Sequence, residues 1–379
     1  MKIIFVSHSS SSTDIPKFIF GLANSFAVNH QVTLVTKRDG ILLQQAIQEN
    51  SSGINYLNVN NHHEVFQAAF AQKVETAIKV IKQQEPDLVY VNSVASSEWV
   101  VASRLCGIKN IFHIHEMKSE CMELLMSQAA TPDVLNYTDL VIYGSQAVER
   151  DVRDFFDSQP PASTVQNYFF DCPKILDLSN LEQPLPQNAQ GQVMEKQKPV
   201  VCAWGIASHS KGVDLFFETA QRLPHLQFLW IGQWYSTDGS YNPVEHIFQK
   251  EKLDNFFITG EVDNPYFYLN LADLFVLSSR EDNRPLTVIE ALILGKQAVC
   301  FSKTGGARFI LDRYGYVISG EPNLDLLVQF IKRLFPESDG SISTPEWLTT
   351  MEQKILKMYN KESVLLNYQQ IINDSLQKA

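Results

Sequence analysis

At 379 residues the chain is too long for one ordinary core and fits two domains of about 150 to 200 residues each. Its formal net charge is -11 at pH 7 and no run of lysine or arginine occurs, which argues against nucleic acid as a partner and against a general attraction to anionic membrane surfaces. The five cysteines (Cys106, Cys121, Cys172, Cys202, Cys300) are scattered and odd in number, with no CxxC pair, so a disulfide framework or a zinc site is disfavoured and a reducing cytoplasm is expected.

The opening MKIIFVSHSS carries one lysine and a short apolar run, less than the core of a secretory signal, and reads as a strand. No window approaches the roughly 20 apolar residues of a membrane-spanning helix. Strands are predicted at residues 1–7, 31–36, 87–92, 110–114 and 140–143, with helical patterns such as 15–27 and 64–84 between them, the alternation of a parallel α/β sheet. Residues 172–199 are rich in Pro, Gln and Asn and lack clear periodicity. Within them 181–198 is assigned as a linker between an N-terminal domain, 1–180, and a C-terminal domain, 199–360. Strands resume at 200–205, 226–232, 256–260, 274–279 and 298–302, and 361–379 forms an amphipathic C-terminal helix available to pack back on the N-terminal domain.

The stretch 278–307, SSREDNRPLTVIEALILGKQAVCFSKTGGA, places a carboxylate, Glu290, inside an apolar run. Pro285 suits the first turn of a helix, Asp282 or Asn283 its cap, and Gly295 its stop, which predicts a helix from about Pro285 to Leu294. At about 100° per residue its apolar residues point in nearly every direction, so the helix is expected to be buried all round, with Thr287 the only polar neighbour of Glu290. A carboxylate so placed needs hydrogen-bond donors or costs several kcal/mol. A polyol such as ribose supplies them; a structural partner or a route to solvent is the plainer alternative. Asp282 lies where strand 274–279 ends, the ligand end of a parallel sheet, or it simply caps the helix.

Asp282-x7-Glu290, with Ala291, Gly295 and Lys296, resembles the hallmark of the retaining glycosyltransferases of family 4: Glu-x7-Glu, then Ala and Gly-Lys. The first acid here is Asp, with Glu281 beside it. The resemblance implies the α/β GT-B architecture, two Rossmann-like domains facing a cleft: an acceptor domain first, a nucleotide-sugar domain second. It implies that Asp282 holds hydroxyls of the donor sugar and Glu290 the ribose of the nucleotide.

VVCAWGIASHSKGVDLFFETAQRLPHLQFLWIG, from residue 200, is similar to the first strand, loop and helix of the family's C-terminal domain. By that likeness Lys211, before Gly212, binds the donor diphosphate, together with Gly205 and the amide-rich helix start at Leu286 and Thr287. The family's arginine is replaced by Ile206, which leaves that contact to Arg284 or Arg280. A cation at a helix N-terminus opposes the dipole by a few tenths of a kcal/mol unless an anion sits between them; a solvated surface lysine is the bland reading. NIFHIHEMKSE resembles the segment whose histidine touches the donor sugar. His115 is then the candidate, with His113 assigned to the opposite strand face, while a lone histidine is otherwise structural. The family's Gly-Gly loop is replaced by SHSSSSTDIPK, whose hydroxyls either substitute for amides or form a mobile polar loop at Ser9 to Thr13. In TGGARFI, Gly305 and Gly306 permit a close backbone approach or a tight turn.

The implied activity is transfer of a sugar from a nucleotide-diphosphate sugar to an acceptor hydroxyl, with retention at the anomeric carbon, in glycan, glycolipid or polysaccharide biosynthesis. Asp282, His115 and Lys211 are the catalytic candidates. The donor is a substrate, and no cofactor is implied. No Asp-x-Asp pair occurs, so no metal is expected. The acceptor is a saccharide, a lipid-linked carrier or a small molecule, and the setting is cytoplasmic with at most peripheral contact with the inner face of a membrane. A sugar-nucleotide epimerase and a non-catalytic nucleotide-sugar-binding partner subunit are the alternatives.

Overall fold

The computed structural model describes residues 1–11, 14–48, 53–59, 69–156, 162–195, 197–234, 251–280, 282, 285–337 and 346–377. The chain divides into two units, Met1–Phe169 with Lys361–Ala379, and Phe170–Asn360.

Among the described residues the first unit holds seven strands: β1 (Lys2–Ser7), β2 (Gln31–Thr36), β3 (Ile54–Asn58), β4 (Leu88–Asn92), β5 (Lys109–Ile114), β6 (Leu140–Tyr143) and β7 (Ser163–Val165). All pair in parallel, in the order β3-β2-β1-β4-β5-β6-β7. Strand β4 is buried along its whole length, as expected of a parallel sheet covered on both faces. The helix expected over 64–84 runs from Phe70 to Gln84; residues 64–68 lie outside the described residues.

The helix Lys361–Gln377 belongs to this unit. Val364, Tyr368 and Ile372 are all buried, a stripe at four-residue spacing that identifies the packed face. The Tyr368 ring lies 5.4 Å from that of Phe18, and Lys109 Nζ donates to the Ser375 carbonyl at 2.7 Å.

The second unit repeats the plan with β8 (Val200–Trp204), β9 (Gln227–Ile231), β10 (Phe256–Ile258), β11 (Leu274–Leu277), β12 (Gln297–Phe301) and β13 (Tyr316–Ile318). The parallel order is β10-β9-β8-β11-β12-β13. Alternate residues feed separate cores: Cys202, Leu229, Ile231, Phe275 and Leu277 pack into one, and Val201, Ala203, Phe228, Trp230 and Val276 into the other, the period-two pattern of a strand. In each sheet the strand order reverses at one place, between β1 and β4 and between β8 and β11, and the crevice beyond the strand ends there is where such sheets hold ligands.

Residues 170–180, which the sequence reading put in the first domain, form part of the second unit. The helix Cys172–Ser179 is capped by the Asp171 carboxylate, which accepts from the Lys174 amide at 3.2 Å. The 181–198 segment is also part of this unit rather than a loose tether. Met194 is buried, Asn188 Nδ2 donates to the Asp254 carbonyl at 2.9 Å, and Tyr268 donates to the Pro184 carbonyl at 3.1 Å. Among the described residues no helix is long and apolar enough to cross a membrane.

Truncating a fully buried aromatic ring removes transfer free energy and leaves a cavity, so Tyr368→Ala should destabilise the protein by about 3 to 5 kcal/mol. Denaturant unfolding of the full chain checks this; an unchanged midpoint would contradict the packing of the last helix.

Candidate functional site

Beyond the switch point of the second sheet, the loop after β8 meets the segment after β11. Gly212, at φ +67°, caps the helix Val213–Arg222, and a Cβ on it would collide with the Ser278 carbonyl oxygen. Only glycine suits this backbone and this approach. Ser278 Oγ donates to the Lys211 carbonyl at 2.9 Å, and the Arg280 amide donates to the Ser210 carbonyl at 2.8 Å. The Arg280 guanidinium makes two bonds to the Asp214 carboxylate, at 2.8 and 2.6 Å, and one to the His209 carbonyl at 2.6 Å. Burial works to raise the Asp214 carboxyl, but the Arg280 bonds and charge outweigh it and hold the group below its ordinary range. Arg280 therefore staples two segments together. Arg284, the alternative to Arg280 for the phosphate contact, lies outside the described residues, as do Glu281 and Asn283.

This approach brings Lys211 to Asp282: Nζ donates to Oδ2 at 2.7 Å, with the lysine side chain 37% and the aspartate 9% exposed. Gly205 lies alongside, since a Cβ there would stand 3.6 Å from Lys211 Cγ. The aspartate is fixed by its own backbone. Its amide donates to the Thr304 carbonyl at 2.7 Å, and its carbonyl accepts from the Gly306 amide at 3.0 Å. The close approach anticipated at Gly305 and Gly306 is thus made to the chain at Asp282. Ile206, in the place of the family's arginine, is 41% exposed.

The predicted acidic helix runs from Leu286 to Ile293, with Pro285 as its N-cap instead of its first residue. Asp282 does not cap it: the N-cap position falls on Pro285 and no side chain bonds the helix start. At the other end Gly295, at φ +66°, donates to the Leu292 carbonyl at 3.1 Å and Lys296 to the Ala291 carbonyl at 2.9 Å, a Schellman stop. Lys296 itself reaches the Asn270 carbonyl at 2.7 Å, and burial lowers its ammonium pKa.

The helix is not buried all round. Val288, Ile289, Ala291, Leu292 and Ile293 are buried, whereas Leu286, Thr287, Glu290 and Leu294 are only partly covered. Leu286, Glu290 and Leu294 stand at four-residue spacing and Thr287 lies three before Glu290, so together they form one face. Nor is Thr287 the only polar neighbour of Glu290: Tyr266 donates its hydroxyl to Glu290 Oε1 at 2.9 Å. The Tyr266 ring meets Trp204, the last residue of β8, edge-on at 5.9 Å. Glu290 is thus linked through Tyr266 to Trp204, whose neighbour in the chain, Gly205, lies beside the Lys211 stem. Tyr266 and Trp204 carried no local signal in the sequence.

His115 belongs to the first unit and is fully buried. Its Nε2 meets Asn92 Oδ1 at 2.5 Å and its Nδ1 the Tyr168 hydroxyl. His113 does not face the other way. The two rings lie 3.8 Å apart, because residues i and i+2 of a strand share a face, and His113 Nδ1 pairs with the Tyr90 hydroxyl at 2.7 Å. In the loop after β1, Ser9 and Ser10 are buried, Ser9 Oγ bonds Ser11 Oγ at 3.2 Å and Ser10 donates to the Arg38 carbonyl at 2.8 Å. Those hydroxyls serve the fold; Ser12 and Thr13 lie outside the described residues.

Residues 186–340 match the model of the family described as Glycosyl transferases group 1. Over 181 residues the chain is 26% identical to an uncharacterised glycosyltransferase of Methanocaldococcus jannaschii, covering 46% of this chain and 42% of that protein. The chain thus spans less than half the length of this curated relative. Three solved structures are similar. A glycosyltransferase from Rickettsia africae gives a TM-score of 0.75 at 16% identity, covering 100% of this chain and 99% of that one. The Anabaena protein HepE in complex with UDP gives 0.74 at 17% identity, covering 99% of this chain and 100% of that one. Sucrose-phosphate synthase from Thermosynechococcus elongatus gives 0.71 at 15% identity, covering 100% of both. At these identities the likeness shows the fold, the GT-B type with its two parallel-sheet α/β units.

Gly212→Ala should cost at least about 2 kcal/mol, from the left-handed backbone and from displacement of the Ser278 carbonyl. A urea midpoint equal to that of the unmodified protein would refute this account of the loop.

Proposed function

We propose that the protein is a glycosyltransferase that moves a sugar from a nucleotide-diphosphate sugar to an acceptor hydroxyl, with retention, in glycan, glycolipid or polysaccharide biosynthesis. One observation carries the reading. A partly exposed ammonium paired with a carboxylate, Lys211 with Asp282, and a second carboxylate, Glu290, on the helix that follows Asp282, stand on the segments after β8 and β11, the strands of the switch point, inside the segment that matches the Glycosyl transferases group 1 model. The complexes of HepE with UDP and with UDP-glucose support a uridine nucleotide as the donor carrier.

In this reading Lys211 and the helix start at Leu286 and Thr287 stabilise charge developing on the leaving diphosphate, the term that most often dominates such catalysis. Lysine has three N–H donors, so Lys211 keeps its bond to Asp282 while it meets a phosphate oxygen, and Gly205 leaves room beside it. Glu290, already accepting from Tyr266, takes the ribose hydroxyls with its carboxylate, and Asp282 orients the sugar. His115 meets the sugar only by exchanging its bond to Asn92 or Tyr168. The departing phosphate oxygen takes the acceptor proton on the same face. Buried thiols are poor nucleophiles here: burial pushes Cys172 up to about 11 and Cys300 up to about 12.

The protein is proposed to work in the cytoplasm, at most peripherally at a membrane, on a saccharide, lipid-linked or small-molecule acceptor. A panel of UDP-, GDP- and ADP-sugars tests the activity. Nucleotide release that requires an acceptor supports transfer; equilibration among sugar nucleotides supports an epimerase, and binding without turnover a non-catalytic partner subunit. Glu290→Gln should weaken donor binding about tenfold, the loss of a charge-assisted hydrogen bond. Lys211→Ala should chiefly lower kcat, by about a hundredfold. Unchanged kinetics in both would refute the assignment. Transfer is proposed to need no metal, so full activity is expected in excess EDTA.

A further inference from the structure

Glu290 shares its helix face with Leu286, Thr287 and Leu294, and that face is only partly covered. A glutamate so placed has several rotatable bonds, and ordering them opposes any ligand that needs one geometry. A carboxylate held in place before the ligand arrives avoids that opposition.

Tyr266 supplies such a hold. Its hydroxyl donates to Glu290 Oε1 at 2.9 Å, and its ring meets Trp204 edge-on, with 5.9 Å between the ring centroids. The tyrosine stands on the helix Pro265–Asn270, whose residues Phe267, Tyr268 and Leu269 are buried. That helix is tied down at both ends. Ahead of it Asn264 Nδ2 donates to the Leu178 carbonyl at 2.8 Å, and at its end the Asn270 carbonyl accepts from Lys296 Nζ at 2.7 Å. Between these, Tyr268 donates to the Pro184 carbonyl at 3.1 Å. Leu178 and Pro184 both belong to the stretch that lacks periodicity in the sequence, so that stretch braces the helix that carries Tyr266. Lys296 follows the helix that carries Glu290. The two helices are therefore joined at two places, by Tyr266 to Glu290 and by Lys296 to Asn270. A hydroxyl delivered from a frame this fixed aims the carboxylate in one direction.

We propose that Tyr266 is a positioning residue for donor binding: its hydroxyl holds the Glu290 carboxylate in the orientation that meets the two hydroxyls of a ribose, and it sets nucleotide affinity through Glu290 rather than by contact. A carboxylate offers about four acceptor positions on its two oxygens, so accepting from Tyr266 is compatible with meeting a diol. The inference rests on the glycosyltransferase reading, which gives Glu290 the ribose.

The test is calorimetric titration of the full chain with UDP and with 2′,3′-dideoxy-UDP, which lacks both ribose hydroxyls. Tyr266→Phe keeps the ring against Trp204 and removes only the donor. It should weaken UDP binding about fivefold and change binding of the dideoxy nucleotide by less than about twofold. Glu290→Ala removes the acceptor, and adding Tyr266→Phe to it should change UDP affinity by less than about twofold, the signature of two residues acting through one bond. A merely structural tyrosine would weaken both nucleotides alike. The proposal is overturned if Tyr266→Phe binds UDP normally, if it weakens UDP and the dideoxy nucleotide equally, or if its loss recurs in full on top of Glu290→Ala. Failure of the parent reading looks different. UDP binding that ignores Glu290→Ala, or no UDP binding at all, defeats the ribose assignment and this inference with it, whereas a loss in Glu290→Ala without one in Tyr266→Phe defeats this inference alone.

Discussion

The Ser278 carbonyl occupies the space in which any side chain at position 212 would begin. Because that side chain is absent, the loop after β8 and the segment after β11 come into backbone contact, and the pairing of Lys211 with Asp282 depends on it. Lys211 and Arg280 point across the junction from opposite sides, each to a carboxylate, Asp282 and Asp214. The two pairs differ in kind. Arg280 uses its planar fork on Asp214 in two parallel bonds, the geometry of a structural clamp, whereas Lys211 makes one bond to Asp282 through a point charge and is more than a third exposed. Rigidity and availability are thus divided between neighbouring cations.

The two units share one topology and place different chemistry at the same topological position. The second unit pairs Lys211 with Asp282 and Arg280 with Asp214 there, and the first pairs Lys37 with Glu98. The strand order dictates where a ligand sits, while the loop residues dictate what it is.

Much of this was legible in the sequence wherever a signal is local. Buried parallel strands read as continuous apolar runs, so β1, β2, β4, β5 and β6 and their counterparts β8 to β12 were anticipated. Edge strands β3, β7 and β13 are only partly buried, and their sequences, INYLN, STV and YVI, carry little pattern. The Gly295 stop was readable because a left-handed helix end demands glycine. The eight-residue gap between Asp282 and Glu290 was readable for the same local reason, and it singled out the candidate site.

What failed was long-range. Tyr266 lies 24 positions from Glu290 in sequence, and Arg280 lies 66 from Asp214; no periodicity connects such pairs. Projection of the Leu286–Ile293 helix suggests cover on every side because it counts neighbours on one cylinder and not the elements packed against it. The segment 181–198, poor in periodic signal, is held by side-chain bonds to main-chain groups and by one buried methionine, contacts that composition does not report.

The helix Lys361–Gln377 is synthesised after all of Phe170–Asn360, yet it seals the unit that begins at Met1. The later unit is contiguous in sequence and is complete as soon as its own residues leave the ribosome, while the earlier one waits with the apolar surface around Phe18 uncovered. Translation order and assembly order are therefore inverted for half the molecule. The nascent protein spends that interval with an unsealed core, the condition that chaperones recognise.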